Sequence, residues 1–237
     1  MTNTHDLPEC WKILEDVLNH GIDRVILYGP PGTGKTYAGM NFGNVSAGSF
    51  RITCTEDMTN LQVDGAFMPA SDGKSFRWYE GAALKAWQTG GRLVVDEIDK
   101  AGSDVFATLL NFLDSPESAS WEHPDSGQVI RPKQGFSAVM TTNVEDMAEL
   151  PEALADRFPV RIRINQPHPT ALKRLSSDLR EVAVNYADAG TSRISLRTFL
   201  AFDNLRRSLG DNRAAEIVFA ERASGIIDAL KVNAVAK

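Results

Sequence analysis

Gly29-Pro30-Pro31-Gly32-Thr33-Gly34-Lys35-Thr36 follows the apolar run Val25-Ile26-Leu27-Tyr28 and fits the phosphate-loop pattern G-x-x-x-x-G-K-[ST]. Its three glycines let the backbone curl so that successive N–H groups face one point, where an anion meets them and the positive end of the helix that follows. The anion suited to this arrangement is a nucleotide β-phosphate. Lys35 then reaches the β- and γ-phosphates, and Thr36 offers its hydroxyl to Mg²⁺. A Gly/Pro-rich turn that binds nothing is the competing reading, and the strand before the octet and the helix after it weigh against it.

Outward from the octet, residues 9–19 place Ile13, Leu14, Val17 and Leu18 at helical spacing, with Gly21 as C-cap. Downstream, a helix is expected over 36–44, although Gly39 and Gly43 each weaken it by up to about 1 kcal/mol relative to alanine. Residues 50–55 alternate as a strand, and Asp57 or Thr59 is placed to cap a short helix over 58–63. Ser71-Asp72-Gly73-Lys74 then reads as the turn of a β-hairpin within 66–80, followed by a helix over 82–89 that Gly90-Gly91 ends. Arg92-Leu93-Val94-Val95 reads as a buried parallel strand that carries Asp96-Glu97 at its C-terminal end, where open α/β sheets bind ligands.

Val105, Phe106, Leu109, Leu110 and Leu113 mark a core helix, and a second hairpin is expected over 121–131 with Pro124-Asp125-Ser126-Gly127 as its turn. A strand over 136–140 delivers Thr141-Thr142-Asn143. A short helix over 151–157 and a last strand through Val160, Ile162 and Ile164 complete this part. Asn165-Gln166-Pro167-His168-Pro169 breaks the pattern and divides an α/β nucleotide-binding core, 1–166, from a helical domain, 167–237. There, Leu172, Leu175, Leu179, Val182 and Val184 are assigned to one helix and Leu196, Phe199, Leu200 and Leu205 to a second. A third runs through Ile217, Val218, Phe219, Ile226, Ile227 and Leu230 with an interruption at Gly225, and the last residues are expected to fray.

The 237 residues, 43% of them apolar, can fill one α/β core and a smaller appendage. The formal net charge of -6 has no long run of either sign, so broad electrostatic binding to nucleic acid is not favoured. Cys10 and Cys54 show neither disulfide-framework nor zinc spacing, which suits a reducing cytoplasm. Residues 1–10, with His5, Asp6, Pro8 and Glu9, contain no apolar run, and no segment approaches the ~20 apolar residues of a membrane span. The chain reads as soluble and unexported.

A nucleoside triphosphatase needs phosphate donors, a metal-holding carboxylate, a group acting on the attacking water and positive charge for the transition state. Asp96 would hold Mg²⁺, directly or through water, and Glu97 would polarise the water; the alternative is a solvated acidic turn that also includes Asp99. Asn143 could bond the γ-phosphate or the water, though alone it would read as a strand-end cap. By composition, Arg157 could pair with Asp156 or sit at the surface, and Arg197 reads as a surface residue. Cys54 and the four histidines have no partner pattern that argues for catalysis.

Taken together, these motifs resemble an AAA+ ATPase, and within that class the MoxR-type family, which includes the NorQ/CbbQ-like activators. The resemblance runs from about residue 23 to 202. Gly29 to Thr36 matches Walker A, Leu93-Val94-Val95-Asp96-Glu97-Ile98-Asp99-Lys100 matches Walker B, and Thr141-Thr142-Asn143 resembles sensor 1. Leu154-Ala155-Asp156-Arg157-Phe158 resembles the arginine-finger segment, which makes Arg157 the finger. Ser195-Leu196-Arg197 resembles sensor 2, with leucine where the family pattern has proline. The hairpins at 66–80 and 121–131 resemble the helix-2 insert and pre-sensor-1 hairpin.

The resemblance implies an α/β P-loop core with a five-stranded parallel sheet, β-hairpin insertions and a C-terminal helical lid. It further implies ATP and Mg²⁺ as cofactors, with ATP between the protomers of a ring, usually a hexamer. The expected function is ATP-driven remodelling or activation of a protein client such as a von Willebrand factor A domain protein or a metalloenzyme. A nucleotide-gated assembly module with slow hydrolysis is the alternative; a nucleic-acid-processing motor would need a basic pore, to which Lys74, Arg77, Arg131 and Lys133 could contribute. On the 66–80 hairpin, Phe76 and Trp78 share one face and Arg77 and Tyr79 the other. These aromatics either anchor the insert or leave its tip, 71–74, to grip the client.

Overall fold

The computed structural model describes residues 7–235; the expectations for residues 1–6 and for the chain's last two residues lie outside them. The described residues form two compact units, one of Ile13–Gly29 and Lys35–Arg163, the other of residues 7–12, Pro30–Gly34 and residues 164–235.

The α/β unit is built on a five-stranded parallel sheet. Its strands are β1 (Arg24–Tyr28), β2 (Ser49–Thr53), β5 (Arg92–Asp96), β8 (Ser137–Thr141) and β9 (Val160–Arg163), and they lie in the order β2-β5-β8-β1-β9. Val25, Leu27, Leu93, Val94, Val95 and Met140 are fully buried, as expected for strands covered on both faces. Because every pairing is parallel, the C-terminal ends of β1, β5 and β8 emerge at one edge. That edge receives Gly29, Asp96-Glu97 and Thr142-Asn143.

Helix α2 (Lys35–Asn41) lies against β5 and β8, and Gly39 explains how closely. A Cβ there would come within 3.2 Å of both Val94 Cγ1 and Val139 Cγ1, so the residue that weakens the helix also lets it settle on the sheet. The helix ends three residues before the expected position 44, ahead of Gly43, which adopts φ +69°. The expected short helix at 58–63 is a single 3₁₀ turn, Asn60–Gln62. Helices α3 (Ala82–Thr89) and α4 (Ser103–Phe112) contribute Leu84, Trp87, Leu109 and Phe112 to the main core, joined by Phe158 after α5 (Glu152–Arg157).

Both hairpins form: β3 (Gly65–Pro69) with β4 (Phe76–Glu80), and β6 (Trp121–Glu122) with β7 (Val129–Ile130). At the tip of the first, Asp72 accepts the backbone N–H groups of Lys74 and Ser75 and the Ser75 hydroxyl. Those bonds hold its carboxyl down at about 2. Of the hairpin's aromatics only Trp78 turns inward, meeting Trp121 at 5.6 Å and His123 at 5.7 Å between ring centroids. Phe76 and Tyr79 remain 67% and 54% exposed, so anchoring falls to one residue and the face shared by Phe76 and Trp78 does not bury as a whole.

In the other unit, α1 (Glu9–Asn19) contributes Trp11, whose indole N–H donates to the Gln166 carbonyl at 2.9 Å. The helices there are α6 (Pro169–Leu172), α7 (Ser177–Ala187), α8 (Leu196–Leu209), α9 (Asp211–Phe219) and α10 (Ala223–Val235). Their core gathers Leu179, Phe199, Phe202, Ala214, Ala215 and Ile226. The single helix expected over 172–184 is two, and buried Asp203 of α8 fixes the residue before the second by accepting both the Ser176 N–H at 2.9 Å and its hydroxyl at 2.8 Å. The interruption expected at Gly225 falls at Ala220 instead, which adopts φ +51°, and Gly225 lies inside α10. No helix among the described residues is long and apolar enough to cross a membrane.

Candidate functional site

The phosphate loop leaves β1 with Gly29, Gly32 and Gly34 at φ +115°, +79° and +107°, conformations that side-chain-bearing residues rarely adopt. Within it the Thr33 hydroxyl donates to the Pro30 carbonyl at 3.0 Å, a local bond that closes the curl. Lys35, only 6% exposed, donates from Nζ to the Gly29 carbonyl at 2.9 Å and to Asn143 Oδ1 at 3.0 Å. The loop's lysine and the amide after β8 are therefore brought together across 108 residues of chain.

Thr36 donates its hydroxyl to Asp96 Oδ1 at 2.7 Å. The same carboxylate, 6% exposed as a residue, accepts the Thr141 hydroxyl on Oδ1 and the Arg51 guanidinium on Oδ2. No group of three or more His, Cys, Asp or Glu side chains gathers as a metal cage among the described residues. A divalent cation at this edge could draw on the Thr36 hydroxyl and the Asp96 carboxylate, both hard oxygen donors, with phosphates supplying the rest; that is the usual way Mg²⁺ is held. The residues fit such a cation.

Glu97 follows in the left-handed region, φ 57° and ψ 48°. For a non-glycine residue such a conformation costs on the order of 1 kcal/mol and is found chiefly where function demands it. The turn aims Glu97 at two neighbours: Oε2 pairs with Lys100 Nζ at 2.7 Å, and Oε1 accepts Asn143 Nδ2 at 3.4 Å. The hydrogen bond and the negative charge of Glu97 raise the Lys100 ammonium above its ordinary range. Thr142 donates to Asp99 Oδ1 at 2.6 Å and ties the end of β8 to the turn after β5. Beneath these carboxylates the buried Cys54 thiol is pushed up to about 12, first by burial and then by Asp96, Asp99 and Glu97. It stays a thiol at neutral pH and carries no nucleophilic chemistry.

Arg157 closes α5 and turns to Asp114, with Nη2 3.8 Å from Oδ2, while Nη1 donates to the Ala153 carbonyl at 3.1 Å. Asp156 is not its partner, and its buried Nε has no hydrogen bond. Arg197 is exposed in the first turn of α8, a helix capped by Ser195, whose hydroxyl accepts the Thr198 N–H at 3.3 Å. Ser195 also abuts the phosphate loop: a Cβ on Gly32 would come within 2.8 Å of Ser195 Cβ.

Lys35, Thr36, Asp96, Glu97 and Asn143 thus meet at the C-terminal edge of the sheet. Arg51, Thr141 and Lys100 join them, none singled out by the motif reading. Lys100 sits inside the quoted Walker B stretch, so its spacing of three from Glu97 was a usable signal. Arg51 carries no such mark.

The chain is similar to Chaperone MoxR1 of Mycobacterium tuberculosis (strain ATCC 25618 / H37Rv), 29% identical over 163 residues that cover 67% of this chain and 40% of that protein. It is 25% identical to Midasin of Giardia intestinalis over 178 residues, 72% of this chain and 4% of that one. The chain therefore spans well under half the length of either relative. The structure of NtrX from Brucella abortus in complex with ATP shares the fold, with a TM-score of 0.51 at 14% identity over 95% of this chain and 67% of that one. The similarity to Chaperone MoxR1 supports the MoxR type of the AAA+ resemblance. Residues 24–158, which carry the phosphate loop, Asp96, Glu97, Asn143 and Arg157, match the model of the AAA domain (dynein-related subfamily), and the chain belongs to that family.

Proposed function

We propose that this protein is a Mg²⁺-dependent, MoxR-type AAA+ ATPase that works in a homo-oligomeric ring, a hexamer, and couples ATP binding and hydrolysis to remodelling or activation of a protein client. The observation that carries the reading is the convergence of Lys35, Thr36, Asp96, Glu97 and Asn143 on one edge of a parallel sheet, with Lys35 and Asn143 in direct contact at 3.0 Å. Family membership, the likeness to Chaperone MoxR1 and the ATP complex of NtrX support it.

Each residue then has a task. Gly29, Pro30, Pro31, Gly32, Thr33 and Gly34 present backbone groups to the phosphates, and Lys35 exchanges its internal acceptors for the β- and γ-phosphate oxygens. Thr36 and Asp96 hold Mg²⁺, which when bound neutralises developing charge on the phosphates. Glu97 orients and polarises the attacking water, and Asn143 holds both Lys35 and Glu97 in register with it. Arg157 serves the neighbouring protomer as a finger, and Arg197 of the helical domain, 167–237, senses the nucleotide. The client is a separate protein such as a von Willebrand factor A domain protein or a metalloenzyme. Nucleic acid is not favoured, and the two free cysteines suit the cytoplasm.

One observation favours slow intrinsic turnover within this reading: Glu97 is already paired with Lys100 at 2.7 Å, which leaves it less free to take up water. Such a protein approaches a nucleotide-gated assembly module until its client acts. The test is a pair of variants. Lys35→Ala should abolish nucleotide binding, while Glu97→Gln should bind ATP and stop turning it over. Parental hydrolysis by Glu97→Gln would refute the assignment of that carboxylate.

A further inference from the structure

Asp96 poses a charge problem that the motif reading leaves open. Its side chain is 8% exposed, and a carboxylate so buried is costly unless a counter-charge meets it. Two hydroxyls, from Thr36 and Thr141, fall on Oδ1, and neither carries charge. The one cation in ion-pair contact with Asp96 among the described residues is Arg51, on Oδ2.

The sheet explains how Arg51 gets there. Strand β2 pairs with β5 so that Thr53 stands opposite Asp96 and Arg51 opposite Val94. Residues two apart share a face of the sheet, and a long side chain reaches diagonally to the next residue of the neighbouring strand. Its guanidinium thus runs from the middle of β2 to the end of β5. The side chain is 46% exposed, so it can also leave the carboxylate for water without unfolding anything.

We propose that Arg51 is a positioning residue that occupies Asp96 Oδ2 in the metal-free protein, holds the carboxylate in place, and yields that oxygen to the divalent cation. Arg51 and the cation are then competitors for one carboxylate, and Arg51 sets how tightly the metal is held. The inference rests on the reading of Asp96 as the metal-holding carboxylate. It has a definite sign: removing Arg51 weakens the metal-free protein and tightens the metal. An arginine that cooperated with the cation would give the opposite sign, and one that served only the packing of β2 would leave metal affinity unmoved.

The experiment uses Mn²⁺ as the probe, titrated into the full chain with saturating ADP and followed by the loss of the free-ion EPR signal. Thermal midpoints are taken in parallel with EDTA and with Mn²⁺. Arg51→Gln should bind Mn²⁺ about tenfold more tightly, the scale on which a unit charge a few Å from a divalent ion acts at near-water dielectric. Its midpoint should fall in EDTA and recover with Mn²⁺. Arg51→Lys retains the charge without the fork of donors and should shift in the same direction by a smaller factor. It also keeps the test decisive if Arg51→Gln does not fold. Unchanged or weaker Mn²⁺ affinity in the variant that folds overturns the proposal while leaving the site reading intact. Failure of the parent protein to bind Mn²⁺ with ADP overturns both.

Discussion

Alanine at Gly32 tests how closely the phosphate loop is packed, because the structure supplies its own control. Gly21 and Gly32 have nearly the same backbone, φ +76° and +79°, but a Cβ at Gly21 meets nothing within 4 Å, whereas one at Gly32 comes within 2.8 Å of Ser195 Cβ. The left-handed conformation alone costs an L-residue about 1–2 kcal/mol. Gly21→Ala should lose that amount and no more. Gly32→Ala adds overlap with a side chain that cannot swing aside, since the clash is with Cβ itself, and overpacking of this kind costs about 1–3 kcal/mol. Movement of Ser195 would also loosen the cap on α8, where its hydroxyl accepts the Thr198 N–H, an interaction worth about 1 kcal/mol. The expected losses are thus about 1–2 kcal/mol for Gly21→Ala and about 2–6 kcal/mol for Gly32→Ala, the upper end including the loosened cap. At about 2–4 °C per kcal/mol, thermal midpoints in nucleotide-free buffer should separate the two clearly. A fluorescent ADP analogue should bind normally to Gly21→Ala and weakly to Gly32→Ala. Equal losses of stability in the two variants would refute the close approach of Ser195 to the loop.

Arg157→Ala should bind ATP yet turn it over about 10³- to 10⁵-fold more slowly, the range that arginine fingers supply. Mixing it with Lys35→Ala should restore part of the activity, and no recovery in rings shown to be mixed would place Arg157 in its own subunit. Replacing Asp72-Gly73-Lys74 by Asn-Gly-Ser keeps a hairpin-compatible turn while removing both tip charges. Basal ATPase should survive as client-stimulated turnover falls, and unchanged stimulation would remove the tip from client coupling. The helical unit should be acid-sensitive. The hydrogen bond from Arg206 holds the Asp178 carboxyl below its ordinary range. For Asp203, burial pushes upward, but the Ser176 N–H and hydroxyl and Arg206 outweigh it and the net shift is down. Carboxyls depressed on folding contribute stability that is fully present above the unfolded value of about 4 and is lost as pH falls through their folded values. Asp203→Asn should therefore flatten the acid limb of the thermal midpoint against pH, and a limb of unchanged slope would mean that other carboxylates set it.

Much of this protein is carried by short-range patterns. The phosphate loop is eight consecutive residues, the glycines that close α3 stand next to β5, and the Asp-Gly tip of the first hairpin stabilises itself within three residues. Such features depend on local backbone preference and are legible in the chain alone. The C-terminal edge as the place where Asp96, Glu97 and Asn143 meet was legible too, because apolar runs that end in polar residues predict parallel strands delivering them.

Long-range pairing decided the rest. Strand order β2-β5-β8-β1-β9 puts β1 between two strands formed more than a hundred residues later, a choice made by which faces bury together and not by any local signal. Arg51 meets Asp96 across 45 residues only because β2 takes that register beside β5. The helix expected through Leu172 and Leu179 breaks because Asp203, 27 residues on, supplies a buried acceptor for Ser176. Ala220, with no sequence mark of a break, takes a positive φ where the helix is interrupted, Gly225 stays helical, and Phe76 stays in solvent although it shares a face with Trp78. For the strand order and the break before Ser177 the local preference is worth a few tenths to about 1 kcal/mol, and burial or a buried hydrogen bond between distant residues outweighs it.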